Sequence, residues 1–177
     1  MKINVSRRKL LASSMILGIG QFATKSFANT PVDETDSKTA GTDSFTYEVN
    51  YTEDEWKNRL TPKEFAVMRL GGTERRKSSP LWEETRDGFY HCKGCELKVY
   101  NSQFKVILDK GWTFFKHCEN DSVLTKIEFV GSFGRSNKTA TEAHCRRCGS
   151  HLGHIYIIED QILHCINGTS LIFEPTL

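Results

Sequence analysis

Two Cys-x-x-Cys pairs, Cys92–Cys95 and Cys145–Cys148, constrain this chain more than any other feature. Four thiolates in two short pairs form a tetrahedral site for Zn2+, each sulfur about 2.3 Å from the ion. Gly94 inside the first pair and Gly149 just after the second suit tight turns that aim two sulfurs at one point. The 49 residues between the pairs exceed the spacing of a compact zinc ribbon. The site is therefore expected to staple two distant segments rather than form a free-standing finger. Two further cysteines, Cys118 and Cys165, lie outside the pairs.

The N-terminus carries an address. Ser6-Arg7-Arg8-Lys9-Leu10-Leu11 is a twin-arginine pattern, followed by a short apolar run to Phe22 and the small-x-Ala site Ser26-Phe27-Ala28. Residues 1–28 read as a cleaved signal that exports the chain to the periplasm, since Ser13, Ser14 and Gln21 interrupt a run shorter than the ~20 residues of a membrane span. No stable membrane association is expected after cleavage. Five of the 24 Lys and Arg residues lie in that segment, which leaves 19 basic against 22 acidic residues, a net charge of −3. A nucleic-acid partner, which needs a basic surface, is not expected. Residues 29–44 are polar and read as a flexible linker. Residues 45–177 are long enough for one core. In an oxidising compartment six cysteines also suggest three disulfides, but the paired spacing favours zinc, loaded before export of a folded chain.

Two capping boxes, Thr52-Glu53-Asp54-Glu55 and Thr61-Pro62-Lys63-Glu64, open short helices. The first carries Trp56 and Leu60; the second carries Phe65, Ala66, Met68 and Leu70 and ends at Gly71-Gly72. After Gly88 the pattern changes to short β-like runs at 89–92, 106–108, 112–115, 124–130, 155–158, 162–166 and 171–173. Turn residues such as Asp109-Lys110-Gly111, Gly134–Asn137 and Asn167-Gly168 separate them. The chain is therefore expected to be mainly β and mostly antiparallel, with helices at one end.

Four features besides the pairs are candidates for chemistry. His151-Leu152-Gly153-His154 follows the second pair directly, Gly111-Trp112 sets an aromatic after a glycine turn, Cys165 precedes Asn167 by two residues, and Cys118 lies beyond Phe115. Each has an ordinary alternative. The histidines serve equally as core residues, Trp112 as core filling, and Cys165 as an inert buried thiol.

The order of these motifs resembles the methionine-R-sulfoxide reductase B family from about Tyr51 to Phe173. The N-terminal match runs through Thr52-Glu53-Asp54-Glu55-Trp56, Leu60-Thr61-Pro62, Gly72-Thr73-Glu74 and Ser79-Pro80-Leu81. The more specific matches are Cys145-x-x-Cys148-Gly149-x-His151-Leu152-Gly153-His154 and Cys165-Ile166-Asn167-Gly168-Thr169-Ser170-Leu171. The resemblance implies two antiparallel sheets (a β-tent) and a structural zinc site away from the chemistry. It implies that Cys165 attacks the sulfur of a methionine sulfoxide in an oxidised protein. His151 and His154 then hold the oxygen and supply its proton, Trp112 packs the substrate methyl, and Asn167 orients the polar network. A thioredoxin-like or other dithiol reductant would complete the cycle.

Several positions depart from the family. Leu163 stands where an Arg usually precedes the nucleophile, on the same face as Cys165 by period-2 geometry. Ile157 and Ile158 replace the acidic residues that usually follow the second histidine, and Thr113 replaces a Pro. Lys110 fills the usual place of a resolving cysteine, which leaves Cys118 as the possible resolving thiol. Two other readings compete: a zinc-stapled module that holds oxidised methionine without turnover, and a thiol–disulfide oxidoreductase using the Cys-x-x-Cys pairs.

Overall fold

The computed structural model describes residues 45–133 and 136–176. The signal and linker expected at 1–28 and 29–44 lie outside them. Both capping boxes form. Thr52 caps α1 (Glu53–Arg59), with its backbone N–H donating to Glu55 Oε2 at 2.8 Å, and Thr61 caps α2 (Pro62–Met68) with the same bond to Glu64. α2 ends earlier than the apolar pattern suggests. Arg69 is its C-cap, and Leu70, expected on the helix, is 70% exposed beyond it. The orphan carbonyls there are closed by Gly72, whose N–H donates to Ala66 O.

Among the described residues nine strands follow: β1 (Gly88–Cys92), β2 (Lys98–Asn101), β3 (Lys105–Val106), β4 (Thr113–Phe115), β5 (Val123–Phe133), β6 (Ser136–Cys145), β7 (His151–Ile158), β8 (Gln161–Ile166) and β9 (Leu171–Pro175). They form a three-stranded sheet of order β2-β1-β9 and a six-stranded sheet of order β3-β4-β8-β7-β6-β5, with every pairing antiparallel. The chain is thus mainly β with two antiparallel sheets and two short α-helices.

The core lies between the sheets. Tyr100 stacks on Phe115 with ring centroids 4.3 Å apart, and Tyr90 meets Phe115 edge-on at 4.9 Å. Trp56, Leu60, Phe65 and Met68 from the helices join the same cluster. Such aromatic pairs add about 0.5–1.5 kcal/mol each beyond their buried area. His164 turns into this interior, where its Nδ1 lies 3.0 Å from the Tyr100 hydroxyl. Its neighbour Cys165 therefore faces the opposite side of the six-stranded sheet.

β7 and β8 are joined by a two-residue turn, Glu159-Asp160, with φ of 52° and 59°. Two consecutive positive φ values match the twist of a tight hairpin. This turn fixes the register that sets His154 opposite Cys165. Gly153 is required where the two strands meet, since a Cβ there would lie 2.1 Å from the Cys165 carbonyl oxygen.

Candidate active site

The two cysteine pairs converge. Cys92 ends β1 and Cys145 ends β6, and each is followed by a turn that brings its partner back. Glu96 N–H donates to Cys92 O at 2.7 Å, and Gly149 N–H donates to Cys145 O at 2.8 Å with Gly149 at φ +68°. The four sulfurs all lie within 4.8 Å of one another, with Cys92–Cys148 at 3.7 Å and Cys95–Cys145 at 3.5 Å. Sulfurs bound at about 2.3 Å around a tetrahedral ion sit roughly 3.8 Å apart, whereas a disulfide needs about 2.05 Å. The donor set thus fits a metal ion held by Cys92, Cys95, Cys145 and Cys148.

This staple is tied to the start of β7 and to the loop after Cys165. Lys93 N–H, inside the first pair, donates to Ser170 O at 2.9 Å, and the Ser170 hydroxyl donates to His151 O at 3.1 Å. The second pair runs straight into β7, which opens at His151.

A pocket of about 180 Å3 lies on the outer face of the six-stranded sheet, lined by Thr73, Trp112, Gly153, His154, Tyr156, Cys165 and Asn167. The structure thus gathers Trp112, His154, Cys165 and Asn167 from distant parts of the sequence. Thr73 and Tyr156 are additions that sequence reasoning missed.

His151 is placed differently. It is 3% exposed and sits behind His154, with ring centroids 5.1 Å apart. Residues three apart on a regular strand would face opposite sides of the sheet. Here His144 pairs with His151 and Ala143 with Gly153, so Leu152 is an extra residue in β7. That bulge brings both imidazoles to one face. His151 Nδ1 lies 2.6 Å from Glu142 Oε1, and its Nε2 is buried without a partner.

Glu142 also meets Lys126 Nζ at 2.9 Å and His144 Nδ1 at 3.6 Å. Burial raises its carboxyl pKa, but the contacts with His144, His151 and Lys126 outweigh burial and hold it well below the usual carboxylate range. His154 Nε2 lies 2.5 Å from Glu128 Oε1 on β5. Each histidine thus has its own carboxylate.

The loop after Cys165 is pinned from the opposite direction. Glu74, 4% exposed, accepts the Gly168 N–H at 2.7 Å, the Thr169 N–H at 2.9 Å and the Thr169 hydroxyl at 2.5 Å. Its carbonyl oxygen accepts the Trp112 Nε1–H at 3.3 Å. Asn167 spends both ends of its amide on backbone: Oδ1 accepts the Glu74 N–H and Nδ2 donates to Leu152 O. Its direct work is to hold the loop beside the pocket.

Leu163 shares the face of Cys165, as the pairings Tyr156–Leu163 and His154–Cys165 require, and is 1% exposed. Burial pushes the Cys165 thiol up to about 12, with a smaller push from the Glu74 carboxylate. Cys118 is half-buried and packs against the core between the sheets, and burial pushes its thiol up too.

Residues 60–175 match the model of the SelR domain. The chain is similar to the peptide methionine sulfoxide reductase MsrB of Agrobacterium fabrum (strain C58 / ATCC 33970), 32% identical over 131 residues that cover 72% of this chain and 93% of that protein. It is 34% identical to the protein of the same name from Pseudomonas putida (strain GB-1) over 130 residues, covering 72% and 96% of the two chains. For that of Leptospira interrogans serogroup Icterohaemorrhagiae serovar Lai (strain 56601) the identity is 33% over 131 residues, covering 72% and 97%.

Proposed function

Because the chain belongs to the methionine-R-sulfoxide reductase B family and so reduces peptide-bound methionine (R)-sulfoxide, we propose that Cys165 is the nucleophile and His154 the proton donor. The observation that carries this reading is the convergence of Cys165, His154 and Trp112 on one small pocket. The Cys165 sulfur bonds to the sulfoxide sulfur, and the S–O bond breaks as its oxygen is protonated to water. That oxygen passes to the Cys165 sulfur as the S–S bond breaks and releases the thioether. The oxygen and the thiol proton end together on Cys165 as a sulfenic acid, the first rung of cysteine oxidation. A sulfoxide oxygen leaves poorly until protonated, and an imidazole is suited to deliver that proton near neutral pH. His154 lines the pocket and is the group placed to do so, with His151 behind it. The Trp112 ring forms the wall for the substrate methyl.

The metal of the four-cysteine site is proposed to be zinc, which all-thiolate tetrahedral donors favour. Bound there, it would supply structure rather than chemistry. The reductant is proposed to be an external dithiol, thioredoxin-like or small. Cys118 packs on the core side of the sheet while Cys165 opens outward, which supports direct reduction of the sulfenic acid from outside. Export to the periplasm through the signal at residues 1–28 completes the proposal. No helix among the described residues is long and apolar enough to cross a membrane.

The test is turnover of the separated R and S sulfoxides with dithiothreitol. Reduction of the R form alone is expected, with one trappable sulfenic acid per chain when the dithiol is omitted. Cys118→Ser is expected to retain dithiol-supported turnover. Reduction of the S form at a similar rate, or no trappable sulfenic acid, would overturn the mechanism.

The thiol environment gives a further expectation. Attack requires thiolate character, and burial holds Cys165 protonated at neutral pH. Alkylation of Cys165 in a Cys118→Ser background is therefore expected to rise steadily on the alkaline side. Leu163→Arg puts a cation on the same face and is expected to lower the apparent thiol pKa by roughly one unit. The buried leucine's contacts are lost in that variant, so its melting temperature should fall as well. An unchanged alkylation profile would show that the cation at position 163 does not act on the sulfur.

A further inference from the structure

Glu128 has no part in the sequence motifs, yet it makes the closest contact to the proposed proton donor. It lies on β5, two strands away from His154 on β7, and reaches across β6. Neighbouring strands are about 4.8 Å apart, so the Glu128 and His154 side chains together bridge close to two strand spacings. The residue opposite Glu128 on β6 is Ala140, whose short side chain leaves the path clear. Glu128 Oε1 ends 2.5 Å from His154 Nε2.

The other carboxylate on this face is already engaged. Glu142 contacts His151, His144 and Lys126. His154 is thus served by Glu128 and His151 by Glu142, two parallel pairs on one face of the sheet.

We propose that Glu128 is the positioning residue of the proton donor, holding His154 through Nε2 so that Nδ1 is presented to the sulfoxide oxygen. This rests on the proton-donor reading of His154. A carboxylate at Nε2 fixes the ring orientation and keeps the proton on that nitrogen. When His154 gives up the Nδ1 proton, the tautomer that remains, Nε2–H facing Glu128, is the one the carboxylate stabilises. The Cys165 thiol proton replaces it, so the relay ends with the imidazole restored and the proton on the sulfenic oxygen. Glu128 touches neither substrate nor sulfur and acts only through His154.

A double-mutant cycle tests this with single-turnover rates at saturating R sulfoxide. Glu128→Gln keeps size and removes charge at a partly exposed position. It is expected to slow the chemical step roughly ten- to a hundredfold, less than the roughly 10²–10⁴-fold a general acid itself contributes, with KM little changed. In a His154→Asn background the same change is expected to cost less than about twofold, because residues acting through one another are not additive. A wild-type rate for Glu128→Gln, a loss confined to KM, or a full additional loss on top of His154→Asn would overturn the inference. If His154→Asn alone leaves turnover intact, the proton-donor reading falls instead.

Discussion

Cys165→Ser is expected to abolish reduction of methionine (R)-sulfoxide while leaving the fold and the bound metal unchanged. The substitution exchanges sulfur for a smaller oxygen on β8, where the side chain lines the pocket and makes no hydrogen bond the sheet depends on. Its backbone stays paired with Phe114 on β4 and His154 on β7. Only the proposed nucleophile is lost. A hydroxyl near neutral pH offers almost no anion, and its oxygen is a far weaker nucleophile than sulfur. The expected loss is on the order of 10⁴ to 10⁶ in single-turnover rate, as for removal of other nucleophiles. The checks are the rate of methionine formation, the metal content and the melting curve of the same preparation. Turnover near normal in the Ser variant would move the nucleophile elsewhere. Lost turnover with lost metal would show that the substitution had damaged the fold instead.

Much of the architecture is legible in the sequence because it is carried by local signals. The capping boxes at Thr52 and Thr61 and the cysteine turns each specify their geometry within four residues. What is not legible depends on partners far along the chain. β6 reads Ser-Asn-Lys-Thr-Ala-Thr-Glu-Ala-His-Cys, with no large apolar residue, and is a strand because β5 and β7 pair with it on both sides. β2, only four residues long, is likewise held by β1.

The site shows the same division. Cys165, Trp112 and His154 stand in motifs and meet in the pocket. The common face of the two histidines needs the bulge at Leu152, which no spacing rule announces. Acidic residues expected soon after His154 are replaced by Ile157 and Ile158, and Ile157 is 78% exposed. The carboxylate at His154 comes instead from Glu128, 26 residues earlier. Glu74 is similar: it stands in a motif, but its clamp on residues 168 and 169 spans 94 and 95 positions. Burial of these polar groups makes such long-range partners obligatory, but only the fold identifies them.

Cys148→Ser is expected to cost the metal and, with it, most of the stability of the chain. Cys148 is 2% exposed and its sulfur belongs to a cluster in which Cys92 and Cys145 are fully buried. Three remaining thiolates around a hydroxyl bind a soft-to-borderline ion far more weakly, because serine does not ionise as cysteine does. Structural zinc contributes on the order of 10 kcal/mol of binding free energy that is also folding free energy. A domain of this size is stable by only about 5–15 kcal/mol in total, so losing the ion consumes most of the margin. The damage also has a direction. Cys148 O accepts a hydrogen bond from Arg69 Nη1 at 3.1 Å, which ties the second knuckle to the end of α2. The first knuckle ties to Ser170 through Lys93 N–H, and Ser170 holds the His151 backbone. Releasing the ion therefore loosens the start of β7 and the loop after Cys165 together. Elemental analysis should give about one zinc per wild-type chain and almost none in the variant. The melting temperature should fall by tens of degrees or the cooperative transition should vanish, and a strong chelator should do the same to wild-type protein. A metal-free wild-type chain that melts normally, with the four cysteines as two disulfides, would overturn the assignment.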